Sequence, residues 1–240
     1  LTRIGLLFWF TDWRHLRVAD WLNVFQAGLR FDLLIALLGI QIQLWHFTWG
    51  SNRWLKVRAS RWFIEFCWLV AFCFVPLFAI IESLFFGEFD GRLNYIAFEY
   101  LVYPTEVCCN IWQSYSVIPY LSLVLSLGAA AFWVTRRPLL KLVAVPMERR
   151  QRWGVMSGIL SAIAVLWLTT SMQSRLVARD RVAVECAGNG LYSFFYYAWT
   201  CRLDFDQSYV NLPANEAEDR VRQQIIQTSD RPIAQSMNPV

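Results

Sequence analysis

The sequence has few charged residues and little of what builds metal or nucleophilic sites. Charged residues make up 17% of the chain, whereas ~25% is usual in soluble domains. Only two His and six Cys occur among the 240 residues, and no two Cys have a C-x-x-C spacing. There is no Ser/His/Asp set and no glycine-rich phosphate loop. These deficits argue against a soluble two-domain enzyme, a zinc protein and a disulfide-rich mini-protein.

Apolar residues are correspondingly abundant. They make up 57% of the chain, with 13 Trp and 18 Phe, and the mean hydropathy is +0.36. This composition excludes a disordered chain and predicts a multi-pass membrane protein. A membrane helix needs ~20 apolar residues, and four segments meet that length: 27–49, 62–86, 117–135 and 153–172. Helices are expected because lipid offers no partner to free backbone groups.

The beginning of the chain predicts a truncated helix. The apolar run 4–10 is too short to span a bilayer, and we interpret it as the outer end of an earlier helix. The expected fold class is therefore all-α, a polytopic bundle of four full spans plus a truncated first one. The bundle would occupy residues 1–172, and residues 173–240 would form an extracytoplasmic tail with a charged helix at 215–228.

The loop charges predict the orientation of the bundle. The loop 50–61 contains four basic residues and no acidic one, and the loop 136–152 contains six basic residues and one acidic one. The loop 87–116 contains four acidic residues, with Arg92 as its one basic residue. By the positive-inside rule the two basic loops are cytoplasmic and the acidic loop lies outside.

The segment 93–115 has apolar residues at helical spacing and acidic or amide residues on the opposite side. This pattern predicts an amphipathic helix at the outer membrane face, kinked or split at Pro104. Two interpretations stay open. The helix either caps the bundle or forms one wall of a site for a lipid headgroup.

Several ionisable residues fall within or beside the apolar segments, where charge is costly. Arg30 and Asp32 lie near the outer end of the first segment, and Arg30 is expected either to anchor at the interface or to contact an anionic lipid. Glu82 would lie at a similar depth, so we expect it to pair with Arg30. Glu65 is expected to pair with Arg61, four residues earlier.

Cys186 and Cys201 would both lie on the oxidising side of the membrane. The sequence leaves open whether they form a disulfide.

Three stretches resemble the membrane part of the lipoteichoic-acid synthase-like family, which includes phosphoglycerol transferases and is often labelled the sulfatase family. They are GLRFDLL at 28–34, ESLFFGEFDGRLNYIAFEYLVYPTEVCCNIWQSY at 82–115 and NGLYSFFYYAWTCRLDFDQSYV at 189–210. The resemblance implies about five N-terminal helices followed by an outward-facing, alkaline-phosphatase-like domain. In that family the domain uses a Thr nucleophile and a divalent metal, typically manganese.

The resemblance also implies a function. Relatives move a phosphoglycerol or phosphoethanolamine group from a membrane lipid, and their catalytic domain begins after a Pro-containing linker. On this basis the chain would be the anchor and lipid-presenting domain of such an enzyme in a bacterial plasma membrane. The catalytic domain and its manganese would be absent from the chain, which would itself hold no catalytic residue, metal ligand or cofactor.

The expected partners are membrane lipids, above all an anionic glycerophospholipid donor, and a glycan or lipid-linked acceptor reached through the missing domain. No nucleic-acid partner is expected. Six residues are predicted to line a headgroup site at the outer face, with Arg92 at the donor phosphate: Arg30, Glu82, Glu88, Arg92, Asn94 and Glu106.

Two other functions remain as alternatives. The first is a small transporter or channel subunit with Arg30, Asp32 and Glu82 as an intramembrane relay. The second is a non-catalytic membrane protein that docks a separate enzyme through the aromatic segment 192–199.

Overall fold

The computed structural model of the chain describes residues 2–10, 17–143, 145–200, 216 and 220. The chain divides into two units, Leu1–Thr200 and Cys201–Val240. In the second unit, Glu216 and Arg220 are helical and form an ion pair of 3.0 Å. The rest of the predicted helix 215–228 lies outside the described residues, as do Cys201 and its predicted pairing with Cys186.

Every regular element in the described part of the first unit is helical, which confirms the all-α fold class. Short 3₁₀ turns occur at Trp54–Lys56, Tyr100–Val102 and Met172–Arg175. The α-helices are α1 (Thr2–Phe10), α2 (Val18–Gly39), α3 (Gln41–Trp49), α4 (Arg58–Phe89), α5 (Tyr95–Glu99), α6 (Pro104–Ser114), α7 (Val117–Val143), α8 (Arg149–Thr169), α9 (Arg181–Ala187) and α10 (Gly190–Thr200).

By length and apolar composition, four of these helices can cross a membrane: α2, α4, α7 and α8. The first predicted segment, 27–49, has the wrong boundaries. Its helix already begins at Val18. The helix is interrupted at Ile40, and α3 follows from Gln41 to Trp49. Asp20 explains the early start, since its carboxylate accepts the N–H of Arg17 at 3.2 Å and favours the helix N-terminus.

The predicted end of the third segment at residue 135 is also wrong. Helix α7 continues through Pro138 to Val143, so the first part of the predicted basic loop is helical. Arg136, just beyond the predicted end, pairs with Glu65 on α4 at 2.9 Å. Contacts of charged side chains, such as this ion pair, can stabilise a helix beyond its apolar part. Hydropathy does not detect such contacts.

The long helices associate in two pairs. Helix α4 packs against α7 along its length, and α8 packs against both α2 and α3. Hydrogen bonds connect α3 to α4. The Trp68 indole donates to Gln43 at 2.9 Å, and the His46 ring lies 2.8 Å from the Ser60 hydroxyl. These contacts bring the two helix pairs into one bundle.

The apolar core of the described part lies at one end of the bundle and not along its middle. Its buried residues come from α1, α2, the end of α4 and α9. Elsewhere along their length the four long helices expose many apolar side chains. Water drives apolar side chains to pack together, whereas lipid does not. An apolar core is therefore expected where the helices lie in water. The residues of this core are Leu6, Leu7, Val24, Ala27, Phe86, Ala183, Cys186 and Ala187.

The opposite end of the bundle carries the two basic loops, which contact each other. The Asn52 side chain donates to the Met147 carbonyl at 3.3 Å. Arg152, which is buried, donates to the carbonyl oxygens of Phe47 and Gly50 and to the Asn52 side chain. We call the end of the bundle that carries these two loops the basic end. The two loops therefore share one end of the bundle, as their charge had led us to expect.

The segment after α4 splits at Pro104, as predicted. Helix α5 and a 3₁₀ turn precede Pro104, which stands in the first turn of α6. There its missing N–H removes no hydrogen bond from the helix. No residue of α6 is buried, and Ile111 and Trp112 are exposed. Helix α5 packs against α10, so α5 and not α6 closes this end.

Candidate functional site

A set of charged and polar groups joins five separate parts of the chain at the end opposite the basic end. We call it the polar cluster. It combines α1, α2, the end of α4, the turn that follows α4 and the junction between α9 and α10. Its members are the side chains of Arg3, Asp32, Glu82, Arg92 and Asn189 and the backbone of Cys186, Gly188 and Gly190.

Arg3 occupies the centre of the first half of the polar cluster. Its Nη1 lies 2.7 Å from Asp32 Oδ2, its Nε donates to the Cys186 carbonyl at 2.7 Å, and its Nη2 donates to the Gly188 carbonyl at 3.1 Å. Gly28 makes room for the guanidinium, because a Cβ there would overlap the Arg3 side chain. One arginine thus fastens α1 to α2 and to the end of α9.

Asn189 connects this half to α10. Its amide nitrogen donates to Asp32 Oδ1 at 2.9 Å. Its side-chain oxygen accepts the backbone N–H groups of Leu191 at 3.0 Å and Tyr192 at 3.2 Å. An asparagine in this position caps a helix N-terminus. Asp32 therefore orients the residue that starts α10.

The second half is a buried ion pair between Glu82 and Arg92. Both residues are 3% exposed, and Arg92 Nη1 lies 3.1 Å from Glu82 Oε1. The same carboxylate oxygen accepts the N–H of Gly190 at 3.1 Å. A Cβ on Gly190 would overlap this oxygen, so only glycine allows the approach. Glu82 therefore holds both the turn after α4 and the start of α10.

The turn that returns Arg92 to Glu82 begins at Asp90. Asp90 ends α4 with φ 50° and ψ 32°, and its N–H donates to the Phe86 carbonyl at 2.9 Å. Left-handed residues commonly end helices, and Asp tolerates this conformation better than most residues. The chain reverses here, so that Arg92 reaches a carboxylate ten residues earlier on α4.

Two of the predicted ion pairs are wrong. Glu82 pairs with Arg92 and not with Arg30, whose side chain is exposed. Glu65 pairs with Arg136 on α7 and not with Arg61 on its own helix. Arg92 comes from the turn after α4, and Arg136 comes from the neighbouring helix α7.

The six predicted site residues fall into three groups. Glu82 and Arg92 belong to the polar cluster, where Arg92 neutralises Glu82 and does not present its guanidinium at the surface. Asn94 caps α5 by accepting the Ile96 N–H at 2.9 Å. The other three side chains are exposed: Arg30, Glu88 and Glu106.

Arg3 and Asn189 are the members of the polar cluster that sequence reasoning missed. Signals for both existed. Asp32 is a lone carboxylate in an apolar segment, which calls for a basic partner, and Arg3 is the cation beside the apolar run 4–10. Asn189 followed by Gly190 is a typical helix start after a turn. What the sequence does not reveal is that one network contains all of them.

Burial shapes the chemistry of two further groups here. Burial raises the pKa of the Cys186 thiol to about 12, although the nearby guanidinium groups of Arg92 and Arg3 oppose the rise. Burial also raises the pKa of the Tyr192 hydroxyl, and the neighbouring Tyr196 adds to the rise. This hydroxyl donates to the Thr170 carbonyl at 3.2 Å. Both groups stay protonated and neutral at physiological pH. The polar cluster is thus suited to holding chain segments in place.

Among the described residues, no group of three or more His, Cys, Asp or Glu side chains is arranged to hold a metal ion. Asp32 retains an accessible edge, with its side chain 43% exposed, and Arg30 lies two residues before it. This surface is where an external polar group can approach the polar cluster. No protein-family model and no solved structure matches the chain.

Proposed function

We propose that these 240 residues are the membrane anchor and lipid-presenting domain of a lipid-dependent phosphoglycerol- or phosphoethanolamine-transferring, sulfatase-like enzyme. The site would bind an anionic glycerophospholipid at the outer face of a bacterial plasma membrane. The reaction, with its divalent metal, would belong to a separate alkaline-phosphatase-like domain of the kind the family resemblance implies.

One observation carries this proposal. The three stretches that resemble the family are far apart in sequence, yet each contributes to the polar cluster. Asp32 comes from the first stretch, Glu82 and Arg92 from the second, and Asn189 and Gly190 from the third. A resemblance confined to three stretches is understandable if they preserve one structural unit. That unit positions α10, the last described helix before the C-terminal tail.

Within this proposal the headgroup role passes from Arg92 to Arg30. Arg92 is buried and its charge is balanced by Glu82, so it supports the site from below. Arg30 is exposed, is not ion-paired to another described residue and lies two residues before Asp32 on α2. A guanidinium at this position can form charge-assisted hydrogen bonds with a lipid phosphate.

A photocrosslinking experiment tests the proposal. The full chain is placed in liposomes that contain a photoreactive phosphatidylglycerol, and the labelled peptides are mapped by mass spectrometry. We expect labelling in 28–34, 82–115 and 189–200, competed by phosphatidylglycerol and not by phosphatidylcholine. Arg30→Gln should lower this labelling about tenfold or more, since a charged hydrogen bond contributes about 1.5–3 kcal/mol.

Arg17→Gln is the matched control, because Arg17 is an exposed arginine at the start of the same helix. It should leave the labelling unchanged. Equal loss in both variants would indicate general electrostatic attraction and would contradict a headgroup site at Arg30. Labelling without preference for the anionic lipid would remove the lipid-presenting role.

A further inference from the structure

A second concave surface lies at the basic end, far from the polar cluster. It is a cavity of about 210 Å³ between the loop 50–57, the start of α4 and the end of α7. Its polar lining includes Lys56, Arg61 and Lys141, and its apolar walls include Leu55, Leu140 and Pro146. We call it the basic pocket.

The three cations of the basic pocket are not neutralised by the protein. Their side chains are exposed, and none of them forms an ion pair with another described residue. Glu65, one turn beyond Arg61 on α4, is already bound to Arg136 at 2.9 Å. Three like charges around one cavity repel each other, and an anion in the cavity relieves that repulsion.

The walls of the basic pocket are held by structure and not only by charge. Asn52 lines the pocket, and it connects the two basic loops by donating to the Met147 carbonyl and accepting from Arg152. Leu55, in the 3₁₀ turn before α4, is buried. The loop that carries Lys56 is therefore held in place by contacts that do not involve the three cations.

We propose that the basic pocket binds the phosphate of an anionic phospholipid from the leaflet at the basic end. Phosphate is the chemistry that three cations around one cavity favour. A lipid rather than a free ion is indicated by the position at the end of membrane-spanning helices and by the apolar walls, which suit the glycerol and upper acyl atoms. This site is separate from the one at the polar cluster, and it does not depend on the proposed function.

Two variants of equal charge test the proposal. The pocket variant is Lys56→Gln/Arg61→Gln/Lys141→Gln. The control variant is Arg58→Gln/Arg137→Gln/Arg150→Gln, which removes three exposed cations outside the basic pocket. Each lowers the formal net charge from +4 by three, to +1. Because all six side chains are exposed, we expect both variants to fold, which circular dichroism checks.

The readout is native mass spectrometry of the full chain in detergent with phosphatidylglycerol or phosphatidylcholine added. We expect the pocket variant to bind phosphatidylglycerol about tenfold or more weakly than the control variant. Each Lys or Arg beside anionic lipid contributes about fivefold in affinity. Lys141→Gln alone should shift binding in the same direction by a smaller factor.

Three results would overturn the proposal. Equal losses in the pocket and control variants would mean diffuse attraction, and unchanged binding in the pocket variant would mean that no site exists there. In a further arm, inorganic phosphate in excess is added alone and in competition. One outcome of this arm is that phosphate stabilises the protein as strongly as phosphatidylglycerol does and also displaces the lipid. If both effects are lost in the pocket variant, the ligand is a free phosphate and the lipid assignment is wrong.

Discussion

The ion pair between Glu82 and Arg92 is almost fully buried from solvent, although burying two charges costs free energy. Replacing such a pair by apolar side chains is often neutral, whereas removing one partner leaves a buried charge. Here the pair has a second task, because the Glu82 carboxylate also accepts the Gly190 N–H. We interpret it as a device that specifies where α10 begins.

Arg92→Met tests this interpretation. It leaves Glu82 buried without its partner, so we expect a loss of about 3–5 kcal/mol in unfolding free energy, measured by chemical unfolding in detergent. Adding Glu82→Gln should restore most of the loss, because glutamine is neutral and still offers an oxygen to Gly190. Arg220→Met, which breaks an exposed pair, should change stability by less than about 1 kcal/mol. A double variant no more stable than Arg92→Met would contradict the assigned role.

At the scale of helices, the association of α4 with α7 depends on close approach. Gly128 on α7 lies against Cys73 on α4. A Cβ added at Gly128 would overlap the Cys73 sulfur and lie 3.0 Å from its Cα. Between helices in lipid there is little hydrophobic driving force, so small residues that let backbones approach are important. We infer that Gly128 sets the spacing of this helix pair.

Gly128→Ala should therefore destabilise the protein by about 1–3 kcal/mol, the usual effect of overpacking. Gly158→Ala is the matched control in α8, because a Cβ there meets no atom within 4 Å. Since alanine favours helix more than glycine, the control should be neutral or stabilising by up to about 1 kcal/mol. Thermal unfolding in detergent compares the two, and a shift of the same sign in both variants would argue against a close contact at Gly128.

At the scale of the whole first unit, the two ends of the bundle differ. One end has an apolar core and the polar cluster, with α5, α9 and α10 packed around the helix ends. The basic end has short loops joined by Asn52 and Arg152. Excess Lys and Arg in short loops predicts the cytoplasmic side. The polar cluster would then face outward.

Cysteine accessibility in intact cells tests this arrangement. In a background without native cysteines, an impermeant maleimide added outside should label cysteine introduced by Glu88→Cys or Gln113→Cys. It should not label Arg53→Cys or Arg150→Cys until the membrane is permeabilised. All four positions are exposed, so failure to react reports the membrane. Labelling of Arg53→Cys and Glu88→Cys from the same side would exclude the topology.

The sequence by itself determined that the chain is helical, that four of its segments are long and apolar enough to span a membrane, and where the segment after α4 divides. The apolar segments specify the spans because backbone groups in lipid must be paired within a helix. Pro104 specifies the division because proline lacks an N–H and suits a first turn. Both are local effects, so they can be read from neighbouring residues.

Only the tertiary structure decided the helix boundaries and the partners of the charges. The helix ends depend on contacts outside the apolar segments, such as Arg136 with Glu65. Asp32 pairs with Arg3 and Asn189, and Glu82 pairs with Arg92 and Gly190. A carboxylate near lipid requires a partner, but which of the available cations reaches it depends on how the helices pack. That choice is made by residues distant in sequence, and it converts isolated charges into one polar cluster.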